Sequence, residues 1–108
     1  MTDVLKKLGQ SSPAATTLTD VYTAAYPSVV SSVVICNTNA SAVTIRFSHA
    51  VAAAADAIAQ YLYYDLTVDA NDTFIATVGL TLAATDVLRC YASTTNVAFN
   101  VYGTEVTP

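Results

Sequence analysis

The sequence predicts an all-β protein: a single β-sandwich or jelly-roll-like domain of about seven to eight antiparallel strands, over residues 17–108, preceded by an extended N-terminal arm over residues 1–16. Three observations lead there. β-Branched and aromatic runs recur at spacings of roughly 8 to 14 residues, as in sandwiches and barrels. Several of these runs alternate apolar and polar residues with the period of two that a pleated strand imposes. The breaks between them are clusters of Asn, Asp, Ser, Thr and Pro, whose side chains and ring favour turns. Nothing alternates strand with helix as a βαβ fold would, and no internal repeat is visible.

Taken in order, "GQSSPAAT" (9–16) is small, polar and interrupted by Pro13, which reads as a loop or arm. "TTLTDVYTA" (16–24) alternates in part, with Leu18, Val21 and Tyr22 as candidates for burial. After a turn at "AYPS" (25–28), "VVSSVVICN" (29–37) is apolar on both faces, the pattern of a strand covered on both sides. "NTNAS" (37–41) turns the chain into "AVTIRFSH" (42–49). There Val43, Ile45 and Phe47 point one way and Thr44, Arg46 and Ser48 the other. "AVAAAADAIAQ" (50–60) fits either one or two helical turns or a loop of small side chains; it is too short to stand alone as a helix.

"YLYYDLTV" (61–68) is an aromatic strand, "DAND" (69–72) a turn, and "TFIATVGLTL" (73–82) a strand or strand pair with Gly79 at a bulge or bend. Past "AATD", "VLRCYAS" (87–93) puts Leu88, Cys90 and Ala92 on one face and Arg89 and Tyr91 on the other. "VAFNVYGTEV" (97–106) closes the fold with Val97, Phe99 and Val101 inward and Asn100 outward.

The chain of 108 residues fits one domain, large enough to bury roughly two-thirds of its unfolded surface. Its charge is −4, from eight acids and four bases, and only Lys6 and Lys7 are adjacent bases. Nucleic acid is not an expected partner, because neutralising phosphates takes several cations on one face. No apolar run reaches the roughly 18 residues of a membrane-spanning helix. "MTDVLKKLGQ" lacks the apolar stretch of a secretory signal, and no membrane partner is expected. Charged residues are 11% of the chain, against about 25% in ordinary domains. Such a deficit predicts that part of the surface meets other protein, since interface cores are depleted in charge.

Catalytic and metal signatures are missing from the sequence. The one histidine, His49, stands alone, without a nucleophile elbow or a second histidine. Cys36 and Cys90 have no ligand-like spacing; free buried thiols and a Cys36–Cys90 bridge both remain open. "DANDT" lacks the Gly and the terminal Glu of a calcium loop and reads as an Asx-rich turn. The expectation is therefore no enzyme, no cofactor and no metal. The seven tyrosines stand out instead, above all Tyr61, Tyr63 and Tyr64, as core, as an interface or as a sugar-stacking platform.

Three stretches resemble small structural proteins from tailed-bacteriophage genomes. They are "VLKKLGQSSPAATTLTDVYT", "VVSSVVICNTNASAVTIRFSHA" and "YYDLTVDANDTFIATVGLTLAATDVLRCYAS", which together span most of the chain. The Ala-rich 50–60 segment and Cys90 depart from that pattern. The resemblance implies a virion component, with a capsid decoration or cement protein favoured over a tail, neck or fibre part. It also implies a homo-oligomer, a trimer above other states, that contacts the major capsid protein or other virion proteins at the capsid surface. The residues expected at such interfaces are Val4, Leu5 and Leu8 on the arm, and Tyr22, Tyr61, Tyr64, Tyr91 and Tyr102 on the sandwich.

Overall fold

A computed structural model describes residues 2–108. The described residues form nine strands: β1 (Thr2–Ser11), β2 (Thr19–Thr23), β3 (Ser28–Asn37), β4 (Val43–Ala50), β5 (Tyr61–Val68), β6 (Thr73–Ala76), β7 (Leu80–Leu82), β8 (Val87–Ala92) and β9 (Val97–Thr107). They build two antiparallel sheets. One runs β1-β9-β3-β6, with β7 also pairing β3; the other runs β2-β8-β4-β5. The chain crosses between sheets at most connections, and the order of each sheet is that of a jelly roll. β6 and β7 share one edge position, Ala76 opposite Val33 and Leu80 opposite Val30, so nine segments fill eight strand places. The break falls at Thr77–Gly79, close to where Gly79 announced a bend.

The core lies between the sheets. Phe47 and Ile45 of β4 and Leu88 and Cys90 of β8 meet Val30, Val33 and Ile35 of β3 and Phe99 and Val101 of β9, all fully buried. Those of β4, β8 and β9 are inward members of the alternation read from the sequence, those of β3 come from a strand that read as apolar on both faces, and each large side chain so buried contributes about 1.5–3 kcal/mol. Bulges break the alternation where it fails. The register shift between Asp20 and Tyr22 lets Val21 and Tyr22 both turn inward. Ser48 keeps its outward place in the alternation, opposite Arg89 of β8 and Tyr61 of β5, and is nonetheless fully buried beside them.

The N-terminal segment is extended, as expected, but it does not stand apart from the sandwich. Thr2–Ser11 lies along β9 with Leu5 opposite Thr104, and it forms the edge of the five-stranded sheet. Its backbone groups find partners there, and Leu8 enters the core. Gly9 permits this, because a Cβ at that position would collide with the Val21 carbonyl oxygen. Residues 50–60, left open between helix and loop, are a loop with single 3-10 turns at Val51–Ala53 and Ile58–Gln60.

Candidate interaction surface

The outer face of the five-stranded sheet is the least charged part of the molecule. β3 carries no charged residue at all, and neither do β6 and β7. Its outward side chains include Val29, Val34 and Cys36 on β3, Ile75 on β6, and Ala98, Asn100, Tyr102 and Thr104 on β9. Val29 is 43% exposed and Ile75 61%. The one charged residue of β9, Glu105, turns inward to Lys6 at 3.1 Å. Among the described residues, the only charges on this face are Asp3 and Lys7, both on edge strand β1. The sequence pattern of β3, apolar on both sides, thus predicted a strand covered twice; within the chain it is covered once.

The outer face of the four-stranded sheet is built differently. Arg46 of β4 sits between two rings, its guanidinium carbon 4.1 Å from the centroid of Tyr64 and 4.3 Å from that of Tyr91. Tyr91 is its cross-strand partner on β8. On the other side β5 bulges: Asp65 takes a φ of 52°, so that Tyr64 and Asp65 both face outward. The Asp65 carboxylate accepts from Arg46 Nε at 2.7 Å, which together with smaller effects raises the Arg46 pKa. Further along, Arg89 donates to Asp20 at 3.3 Å and to the Ala54 carbonyl at 2.9 Å, holding the 51–60 loop over β8. Tyr61 and Tyr64 meet edge to face at 5.0 Å, and with Ile58, which is 91% exposed, they line a concavity of about 260 Å³.

Several polar residues that chemistry would single out are structural ties. Asn37 is fully buried; its amide donates to the carbonyls of Ser41, Val68 and Asp69, and its oxygen accepts from Asn39. Asp86 accepts from the Ala52 and Ala83 amides and bonds His49 Nε2 at 2.8 Å. Burial opposes its charge, but these bonds outweigh burial and hold the carboxyl below its ordinary value. His49 therefore belongs to a loop anchor. Tyr22 donates to Glu105 at 2.9 Å and is hydrogen-bonded to the Ser28 hydroxyl at 2.8 Å. Burial pushes the Tyr22 hydroxyl up, and the Lys6 ammonium, then the Tyr22 hydroxyl, keep Glu105 low.

The expected interface residues separate accordingly. Leu8 and Tyr22 are buried, turned inward by the two bulges, and present no side chain to a partner of the folded chain. Tyr64 (58% exposed), Leu5 (83%), Val4 and Tyr102 are at the surface, and Tyr61 and Tyr91 are half-buried beside Tyr64 and Arg46. Both cysteines are free; Cys36 faces outward from β3 while Cys90 lies in the core, so the open possibility of a bridge between them is not realised. "DANDT" forms the turn between β5 and β6, with Asp72 bonding the Thr73 amide. Among the described residues, no three of His, Cys, Asp and Glu lie close enough to hold a metal ion.

Arg46, Asp65, Ile58 and Ile75 are surface features that the sequence did not single out. The outward position of Arg46 was legible from alternation, but its ring partners lie on two other strands. No family model, no curated protein and no solved structure matches the chain.

Proposed function

We propose that this protein is a bacteriophage virion structural subunit, a capsid decoration or cement protein that associates with copies of itself and docks on the shell through the outer face of its five-stranded sheet. The observation that carries this reading is the charge-free strip across β6, β3 and β9, with Val29 and Ile75 exposed on it. A solitary sandwich usually places Lys or Glu on such positions, because uncharged sheet surface associates. The resemblance of its strand and turn stretches to tailed-phage structural proteins supplies the setting. Shell stabilisation would be passive: many identical contacts, each modest, act together. The test is co-sedimentation of the purified protein with phage shells lacking it. Saturable pelleting with the shells supports the reading, and a protein that stays in the supernatant overturns it. Gold-labelled antibody found on tails instead of heads moves the subunit to the tail, neck or fibre.

A second reading rests on the concavity of Ile58, Tyr61 and Tyr64. An apolar hollow with ring faces and neighbouring Arg46 and Asp65 suits a pyranose, whose C–H face stacks on aromatic rings while its hydroxyls seek charged partners. Binding on a glycan array that is lost in Tyr64→Ala would establish this reading, and a blank array would remove it.

A further inference from the structure

Edge strand β1 carries a charge pattern that its own chain does not use. Among the described residues, Lys6 pairs with Glu105, Arg46 with Asp65 and Arg89 with Asp20. Lys7 has no carboxylate partner among them; it bonds the Gln10 side chain at 2.7 Å and rests 5.7 Å from the Tyr102 centroid. Asp3, on the same face and the same strand, has no ion pair among the described residues. Midway between them stands Leu5, 83% exposed. β1 pairs with β9 on one side only, so its other backbone edge is open. β1 has one bulge, between Lys7 and Gly9 and so past Leu5, but it is the longest edge: β2 and β5 are shorter and also bulged, and β6 and β7 are divided. Long open edges are where a second chain adds.

We infer that two copies of this protein pair antiparallel through β1, about a two-fold axis at Leu5, with Asp3 of each copy opposite Lys7 of the other. This rests on the self-association proposed above and names its surface. In an antiparallel pair, opposed residues share a face, so Asp3, Leu5 and Lys7 of one copy meet Lys7, Leu5 and Asp3 of the next on the outer side. Two ion pairs then flank one leucine pair. The register is selected by charge. A slip of two residues one way puts Lys6 opposite its own copy, and a slip the other way sets Asp3 against Leu5. A twofold contact of this kind is isologous and closes on itself. It also joins the two charge-free faces into one continuous surface, doubling what can dock.

The test uses Leu5→Cys in a Cys36→Ser background, in the full chain, under mild oxidation. Opposed Cα atoms across an antiparallel pair lie about 4.5–5.5 Å apart, within the reach of a disulfide. A disulfide-linked dimer joined through the introduced thiol is expected, with no such product from Val29→Cys in the same background. Sedimentation supplies the second arm. Asp3→Lys or Lys7→Asp alone weakens self-association about tenfold, since two favourable pairs become repulsive, and the double exchange restores it. Association that persists while the Leu5→Cys variant fails to cross-link, or that ignores the charge exchange, overturns this inference and leaves the wider self-association standing. A monomer at every concentration overturns both.

Discussion

Tyr22 and Glu105 meet across the two sheets: the phenol of β2 donates to the carboxylate of β9 at 2.9 Å, 83 residues away along the chain. The contact is a polar tie between layers held mainly by apolar packing, with the Asn37 amide of β3 on the Val68 carbonyl of β5 as another. Tyr22→Phe keeps the ring and removes the donor. The loss of a hydrogen bond to a charged group costs about 1.5–3 kcal/mol. Chemical denaturation should show a drop of that size with an unchanged m-value; a midpoint equal to the wild type would mean the tie contributes nothing.

Asp86 gathers the 51–60 loop and the β7–β8 turn through two amides and His49. Asp86→Ala leaves those donors unpaired at a buried position, and a loss of about 2 kcal/mol is expected. Hydrogen exchange reads it locally: the Ala52 and Ala83 amides should lose protection in the variant. Protection equal to wild type would show that other groups hold the loop.

Glu105 and Asp86 both lie below their ordinary values of 4.5 and 3.8. A depressed carboxyl contributes stability that is present above its unfolded value and lost as pH falls through the folded one. The melting temperature should therefore hold from neutrality to about pH 5 and fall steadily below about pH 4. Tyr22→Phe and Asp86→Ala should each flatten that acid limb. A limb of the same steepness in both variants would assign it to other carboxylates.

The glycines divide by what surrounds them. A Cβ at Gly103 would collide with the Val29 carbonyl oxygen, where the β3–β9 register shifts, whereas nothing lies within 4 Å of one at Gly79. Gly103→Ala should cost about 1–3 kcal/mol through overpacking. Gly79→Ala should be neutral or slightly stabilising, because Ala has less freedom to lose. Paired thermal melts decide it, and equal shifts at the two positions would contradict the account.

Burial pushes the Cys90 thiol up to about 11. At pH 8 about one part in a thousand would be thiolate, and its side chain is enclosed. A colorimetric thiol reagent should titrate only Cys36 in the native protein and both cysteines after denaturation. Two equivalents in the native state would place Cys90 within reach of solvent.

The strands whose partners lie on both sides were the most legible. β4, β8 and β9 show their inward residues directly, because burial on one face writes a period of two into the sequence, whereas β3 reads as apolar on both faces and a bulge between Val30 and Ser32 shifts its inward set. Leu8 escaped that reading because it stands at a bulge, where a single extra residue reverses the faces that follow. Tyr22, a candidate for burial, is buried beside a similar bulge, and Ser48 keeps its outward place but is covered beside Arg89 and Tyr61. The pairing of β1 with β9 was hidden because it joins the two ends of the chain, a relationship that local pattern does not carry. The ring-and-guanidinium ladder of Tyr64, Arg46 and Tyr91 was hidden likewise, spread over three strands. The scarcity of charge was plain from composition, but which face it leaves bare required the topology.

The most direct test of the account compares two surface substitutions in the same shell-binding measurement. Val34→Lys places a charge in the middle of the outer face of the five-stranded sheet, and Thr67→Lys places one on exposed β5 of the other sheet. With both variants folded by circular dichroism, the account predicts that Thr67→Lys pellets with phage shells as the wild type does and that Val34→Lys stays in solution. Equal pelleting of the two would contradict the claim that the uncharged face is where this protein meets its partners.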